Sequence, residues 1–224
     1  MTSQLKVLVA EPSTNGAAPG RIERKKRDKL QRIKRAARTL FGHKGFEATT
    51  TREIARAADI GAGTLFLYAG TKEDLLVMIF REEIGAAVDQ AFNTMTERRL
   101  IDQLLRVFGA MIAHHERNPG LARVFVKELP FVDNRHHGVA AFMAALLKRI
   151  ADLIERAQER NELDSSLLPA LLAQNLFALY FATLQRWLGR EGTSAESRDR
   201  RLRASLELQL QGLTIARSRR GARD

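Results

Sequence analysis

The chain has 224 residues, 45% of them hydrophobic, which suffices for a core in one or two domains without covalent staples. It has no cysteine, excluding disulfides, thiolate nucleophiles and cysteine zinc sites and fitting a reducing compartment. The net charge of +11 is unevenly placed: residues 21 to 52 hold twelve Lys or Arg against three acids, a net +9. No apolar run approaches the length of a membrane span, and Val7 to Ala10 is too short for a signal-peptide core, so a soluble cytoplasmic protein is expected.

Residues 1 to 20, rich in Ser, Thr, Asn, Gly and Pro without periodicity, read as a mobile tail carrying no chemistry. From Arg27 a helical period begins. Leu30, Ile33, Ala37, Leu40 and Phe41 form one apolar stripe, with Gln31, Lys34, Arg35 and Arg38 opposite it, and Gly42 and Gly45 close the helix. A charge run is usually a solvated face. One so one-signed, directly before a turn motif, suits the neutralisation of nucleic-acid phosphate, and Arg24 to Lys29 would lie along the backbone or reach into the minor groove. The rival, an amphipathic helix on an anionic membrane, is disfavoured because the apolar face lacks Trp and is needed for a small core of its own.

The stretch from Thr49 to Leu76 organises the rest. Thr50 and Glu53 form a capping box that starts a helix, and Ile54, Ala55 and Ala58 recur at helical spacing, the alanines leaving room for a crossing helix. Asp59, Ile60 and Gly61 break the pattern as a tight turn, with Ile60 its buried plug. Ala62 to Ala69 is about two turns long, with Leu65 inward and its other side chains free. Gly70 ends it, and Thr71 with Asp74 caps a long apolar helix. A short helix carrying Thr64, Phe66, Leu67 and Tyr68, set at an angle to a capped helix, is the layout of a helix-turn-helix whose second helix enters the major groove; the same pattern also fits one corner of an ordinary bundle.

Lys72 to about Met95 reads as a long connecting helix. Further helices are expected near Leu100 to Glu116, Leu121 to Leu129, Gly138 to Arg160, Ser166 to Leu188 and Ala195 to Ile215, divided by Asn118 to Gly120, Pro130 to Asn134, Asn161 to Asp164 and Gly189 to Thr193. No stretch alternates with a period of two, so the fold class is all-α. In the segment Leu168 to Leu188, leucines fill one face, and alanines with Phe177 and Phe181 the other; a helix apolar all round must be covered on both sides. Leu172, Leu176, Leu179 and Leu184, with Leu202, Leu206, Leu210 and Leu213 of the last helix, are assigned to a four-helix bundle across a two-fold axis; the competing reading is the central helix of a monomer. Phe108, Met111, Phe125, Phe142, Met143, Phe177, Tyr180 and Phe181 gather large adaptable side chains in this half. They read either as plain core or as the lining of an apolar ligand cavity.

Enzymatic and metal chemistry find little support. Gly61-Ala62-Gly63 has no strand before it, and Gly70-Thr71-Lys72 has the wrong order for a phosphate loop. His114-His115-Glu116 and Asp133 with His136-His137 are the one candidate metal cluster; adjacent residues point apart on a helix, so solvated helix ends or polar groups at a pocket rim are expected instead. No catalytic residue, metal or cofactor is assigned.

The run from Ile33 to Leu76 resembles the N-terminal domain of the TetR/AcrR family of transcriptional regulators, through Ala36, Ala37, Leu40-Phe41, Gly45-Phe46, Thr49-Thr50, Ile54-Ala55, Ala58, Gly63-Thr64-Leu65 and Lys72. The resemblance implies a homodimer whose N-terminal helices bind an operator and whose C-terminal domain holds a small molecule that resets the spacing of the two heads. By position it implies that Thr50, Thr64, Tyr68 and Lys72, with Arg52 in addition, face phosphates, and that Ala62, Gly63, Phe66 and Leu67 face base edges; Arg27 joins them from the basic stretch. Gly61, Ala62 and Ala69 depart from the family, which often has Ser, a polar residue and an aromatic there. Ala62 cannot hydrogen-bond a base, so readout rests on Phe66 and Leu67 against thymine methyls, on main-chain contacts and on DNA shape.

The resulting reading is a non-enzymatic repressor: a tail at 1–20, a DNA-binding domain at 21–76 with its helix-turn-helix at about 50–69, a ligand-binding and dimerisation domain at 77–216, and a basic tail at 217–224. Its expected partners are double-stranded DNA, a second copy of itself and an apolar or amphipathic small molecule, and no membrane. The alternative is a helical module that binds nucleic acid or anionic membrane without sequence preference.

Overall fold

The structure, a computed structural model, describes residues 20–129, 138–189 and 194–212. The expected tails at 1–19 and 217–224, the segment Pro130 to Asn134, and Asp133, His136, His137 and Leu213 lie outside the described residues. Every regular element among the described residues is an α-helix: α1 (Arg21–Lys44), α2 (Thr51–Ala57), α3 (Ala62–Phe66), α4 (Lys72–Asn93), α5 (Leu100–Glu116), α6 (Pro119–Glu128), α7 (Val139–Glu159), α8 (Pro169–Gly189) and α9 (Ala195–Gln211).

The head is α1 to α3 packed on the start of α4. Ile33, Ala37 and Phe41 of α1 meet Ile54 and Ala55 of α2, Leu65 of α3 and Leu75 and Leu76 of α4 in one buried cluster. α1 begins at Arg21 rather than Arg27, and Gly42 lies inside it; Gly45, at φ 84°, ends it in a conformation that favours glycine. Lys34, expected on the solvent face, is buried, because Glu82 of α4 accepts from its ammonium at 3.0 Å and the aliphatic stem fills the α1–α4 contact.

α4 runs without a break from the head into the body, so the expected boundary near residue 76 falls within a helix. It begins at a capping box of Thr71 and Asp74 and ends where Arg106 of α5 donates to Ala91 O, Thr94 Oγ1 and Glu97 Oε1. α5, α6 and α7 pack against it, α8 packs on α6 and α7, and α9 closes over α5 and α8. The buried Arg198 of α9 pairs with Glu116 at 2.7 Å and lies over Trp187 at 4.6 Å, locking α5, α8 and α9 together.

Candidate nucleic-acid interface and internal cavity

The turn between α2 and α3 follows from local chemistry. The Thr50 hydroxyl accepts from Glu53 N–H at 3.3 Å, and Thr50 N–H donates to Glu53 Oε2 at 2.9 Å. Lys44 pairs with the same carboxylate; this contact and the Thr50 cap hold the Glu53 carboxyl down at about 2. At the other end Asp59 takes a left-handed conformation, φ 54°. Ile60 N–H then donates back to Ala55 O at 3.0 Å and Asp59 N–H to Arg56 O at 3.1 Å, the two bonds of a Schellman motif. This pins Ile60 half-buried against the core.

α3 is shorter than the expected two turns, ending at Phe66, with Leu67 and Tyr68 in the turn that follows. Leu65 is buried beneath it. Ala62, Gly63, Phe66 and Leu67 are exposed, Phe66 by 54% and Leu67 by 83%, while Thr64 and Tyr68 are half-buried at its edge. Two large apolar side chains open to solvent on one short helix are costly unless something covers them. Thr50 and Arg52 are exposed at the start of α2. Lys72 donates to Phe46 O at 2.9 Å and Glu47 O at 3.2 Å and sits over the Phe46 ring at 4.4 Å, tying α4 to the end of α1. Two of its three N–H groups are so used, and the Glu47 carboxylate lies 3.8 Å from the same nitrogen. Residues 21 to 28, Arg27 among them, are exposed on every side of α1. At 1.5 Å per residue, Arg21 stands roughly 18 Å from Ile33, the first fully buried residue of that helix.

Two acidic residues on α4 hold α1 to the body. Glu82 takes Lys34, and Glu83 takes Arg38 of α1 at 2.5 Å on one oxygen while its other oxygen lies 3.6 Å from His114 Nε2 of α5. His114 and His115, expected to be solvated or at a rim, are buried: Phe80 of α4 meets His114 edge-on and, stacked with Phe125 of α6, packs beside His115. Burial lowers both imidazoles, His115 to about 3 with help from the neighbouring His114, whereas Glu83 partly offsets the effect on His114. Both are therefore neutral at pH 7. Among the described residues no group of His, Asp and Glu is placed to hold a metal ion.

His115 lines a small apolar cavity of about 30 Å³, formed where α4 to α8 converge. Of the expected lining, Met111, Phe125, Phe142, Met143, Phe177, Tyr180 and Phe181 form its walls. Phe108 does not: it is fully buried behind Tyr180, stacked on that ring at 4.9 Å, and acts as its backing. Sequence reasoning did not single out Ile84 and Val139, whose apolar character does not distinguish lining from core, or Arg81; His115, expected at a solvated helix end or a pocket rim, is in the lining. Arg81 Nε, His115 Nδ1 and the Tyr180 hydroxyl are buried there without hydrogen-bond partners.

The leucines assigned to dimerisation pack mostly inside their own chain. Leu172, Leu176, Leu184, Leu202, Leu206 and Leu210 are buried within their own chain, where α8 packs on α7 and α9, and Leu179 is half-buried. α8 turns outward Leu171, Ala178 and Ala182 among Gln174, Asn175, Gln185 and Arg186, and α9 turns out Ala204 and Leu208 among Arg200, Arg201 and Arg203; Leu171 is 54% and Leu208 74% exposed.

A short helix with exposed apolar side chains, set across a tight turn from a capped helix and beside a basic one, has the layout of a helix-turn-helix that enters a groove of nucleic acid. Residues 33–79 match the family model described as "Bacterial regulatory proteins, tetR family". The chain is 25% identical to the HTH-type transcriptional repressor KstR of Rhodococcus jostii over 82% of its own length and 84% of that protein's. It is 29% identical to the fatty acid metabolism regulator protein of Bacillus subtilis over 34% of its length, a match spanning 39% of that relative. FadR of Thermus thermophilus, a TetR-family transcriptional repressor solved in complex with lauroyl-CoA, superposes with a TM-score of 0.70 at 27% identity, over 84% of this chain and 97% of its own. The chain is thus similar to the TetR family of transcriptional regulators, by the family model over residues 33–79 and by its likeness to such regulators over most of its length.

Proposed function

We propose that the protein is a repressor that binds a palindromic operator as a homodimer and is released by a ligand with a long apolar tail, of the acyl-CoA class. The observation that carries this is the cavity: an apolar chamber walled by Met111, Phe125, Phe142, Met143, Phe177 and Phe181, built against the same α4 helix that begins in the head. The lauroyl-CoA held by the Thermus relative supplies the ligand class. In this reading the head is residues 21–76 and the ligand-binding and dimerisation unit residues 77–216. Ala62, Gly63, Phe66 and Leu67 occupy the major groove, Thr50, Arg52, Thr64, Tyr68 and Lys72 border phosphates, and Arg27 extends the contact along α1. The second copy covers the outward face of α8 and α9. Ligand entering the cavity favours an α4 position that spaces the two heads wrongly for consecutive grooves, so operator affinity falls by the ligand's preference for that state.

Enrichment of random duplex DNA on the purified chain tests the reading, followed by titration of the winning duplex with and without lauroyl-CoA at two salt concentrations. A palindromic consensus whose affinity drops on adding lauroyl-CoA supports it. Affinity without a consensus, falling only with salt, would leave a non-specific polyanion binder.

A further inference from the structure

The cavity wall is apolar apart from a few polar atoms, and those atoms are left without partners. The Tyr180 hydroxyl, His115 Nδ1 and Arg81 Nε all line it, are buried, and make no hydrogen bond. Tyr180 and His115 are each only 1% exposed, so solvent at the surface of the protein does not reach them. A buried donor or acceptor with no partner destabilises the fold, and such atoms are rare in native proteins. Phenylalanine at 180 or leucine at 115 would fill the same space without that cost. The rings are also held rigidly: Phe108 stacks on Tyr180 at 4.9 Å and Phe177 meets it at 5.5 Å, while Phe80 and Phe125 pack beside His115 at 6.0 and 5.7 Å.

We infer that Tyr180 and His115 hold an oxygen of the ligand, so that the cavity selects a chain bearing a carbonyl or hydroxyl over a bare hydrocarbon chain. This rests on the cavity being the inducer site. A neutral phenol O–H donates, and a neutral imidazole either donates or accepts at Nδ1 according to its tautomer; the pair thus suits an uncharged carbonyl or alcohol oxygen. Arg81, from α4, adds a third donor to the lining. In a ligand of the acyl-CoA class such an oxygen is either the thioester carbonyl or an oxygen farther along the chain.

Binding to the purified full-length protein separates these sources. The probes are lauroyl-CoA, S-dodecyl-CoA, which has a thioether in place of the carbonyl, and 12-hydroxylauroyl-CoA, with 1-octanol and 1-chlorooctane as a pair free of CoA. Wild type should prefer the oxygen-bearing member of a pair by roughly tenfold, and Tyr180→Phe should reduce that preference to about twofold or less. Its melting temperature should equal or exceed that of wild type, since a partnerless hydroxyl has been removed while the stack on Phe108 stays. Lauroyl-CoA ahead of S-dodecyl-CoA assigns the thioester carbonyl. Equality of those two with 12-hydroxylauroyl-CoA ahead assigns an oxygen on the chain. If no CoA compound binds while octanol is preferred to chlorooctane, the acyl-CoA reading fails and the oxygen selection stands. Equal binding within each pair, a preference that survives both Tyr180→Phe and His115→Leu, or no binding of any probe overturns the inference.

Discussion

Acid should destabilise this protein through His115. The imidazole is almost wholly buried beside Phe80, Phe125 and His114, and its pKa falls from the usual 6.5 to about 3, chiefly by burial and then by His114. The unfolded chain takes up the proton near pH 6.5, whereas the folded chain resists it until far lower. Protonation therefore favours unfolding: the stability is full above about pH 7 and declines as pH falls through 6.5 toward 3. Linkage between those two pKa values gives a loss of about 2 kcal/mol from pH 7.5 to pH 5 for His115 alone. His114, also lowered by burial, adds in the same direction, with Glu83 opposing and Arg117 and Arg38 reinforcing its neutral form. Against a total stability on the order of 5–15 kcal/mol, such a loss is large. Urea unfolding at fixed protein concentration, followed by far-ultraviolet circular dichroism at pH 7.5, 6 and 5, measures it for wild type and His115→Leu. The variant should lose about 2 kcal/mol less over this range. An identical pH slope in both proteins would refute the argument that the buried imidazole carries the effect.

Leu67→Ala, at a side chain 83% exposed, should weaken binding to the selected operator by roughly five- to a hundredfold, with random duplex bound nearly as before and the melting temperature unchanged. Alanine at Arg24 and Lys25 together should lower the slope of log affinity against log salt by up to about 1.8, as titration across salt would reveal. Arginine at Leu171 and Leu208, both outward and apolar, should shift sedimentation from dimer to monomer; a dimer that persists would place the interface elsewhere. Glu83→Gln removes the carboxylate shared by Arg38 and His114 and should cost less than about 1 kcal/mol in stability. It should also narrow the ratio of operator affinities measured without and with lauroyl-CoA, because the link from α5 to α1 has been loosened.

Much of the head was legible because its determinants are local. Thr50 with Glu53 and Thr71 with Asp74 are three residues apart, and each pair closes its capping box regardless of what packs nearby. The exposed Phe66 and Leu67 were recognisable for a similar reason: on so short a helix, with Leu65 inward, they had no apolar neighbour to turn to. The aromatic and methionine content of the body likewise pointed to the residues that wall the cavity.

Residue type and spacing thus determined the all-α class, the helix limits within a few residues, the turn and the basic helix before it. Tertiary structure decided which apolar side chains line space and which fill it. Phe108 and Tyr180 are both fully buried aromatics, and only the packing of α5 on α8 puts one behind the other. It also decided that α8 keeps Leu172 and Leu176 inside and turns Leu171 and Ala178 out, since a helix apolar all round has no preferred face until α7 and α9 choose one. Lys34, His114 and His115 were misplaced in sequence for the same physical reason. Their burial depends on Glu82, Phe80 and Phe125, distant partners that come within reach only once the chain has folded.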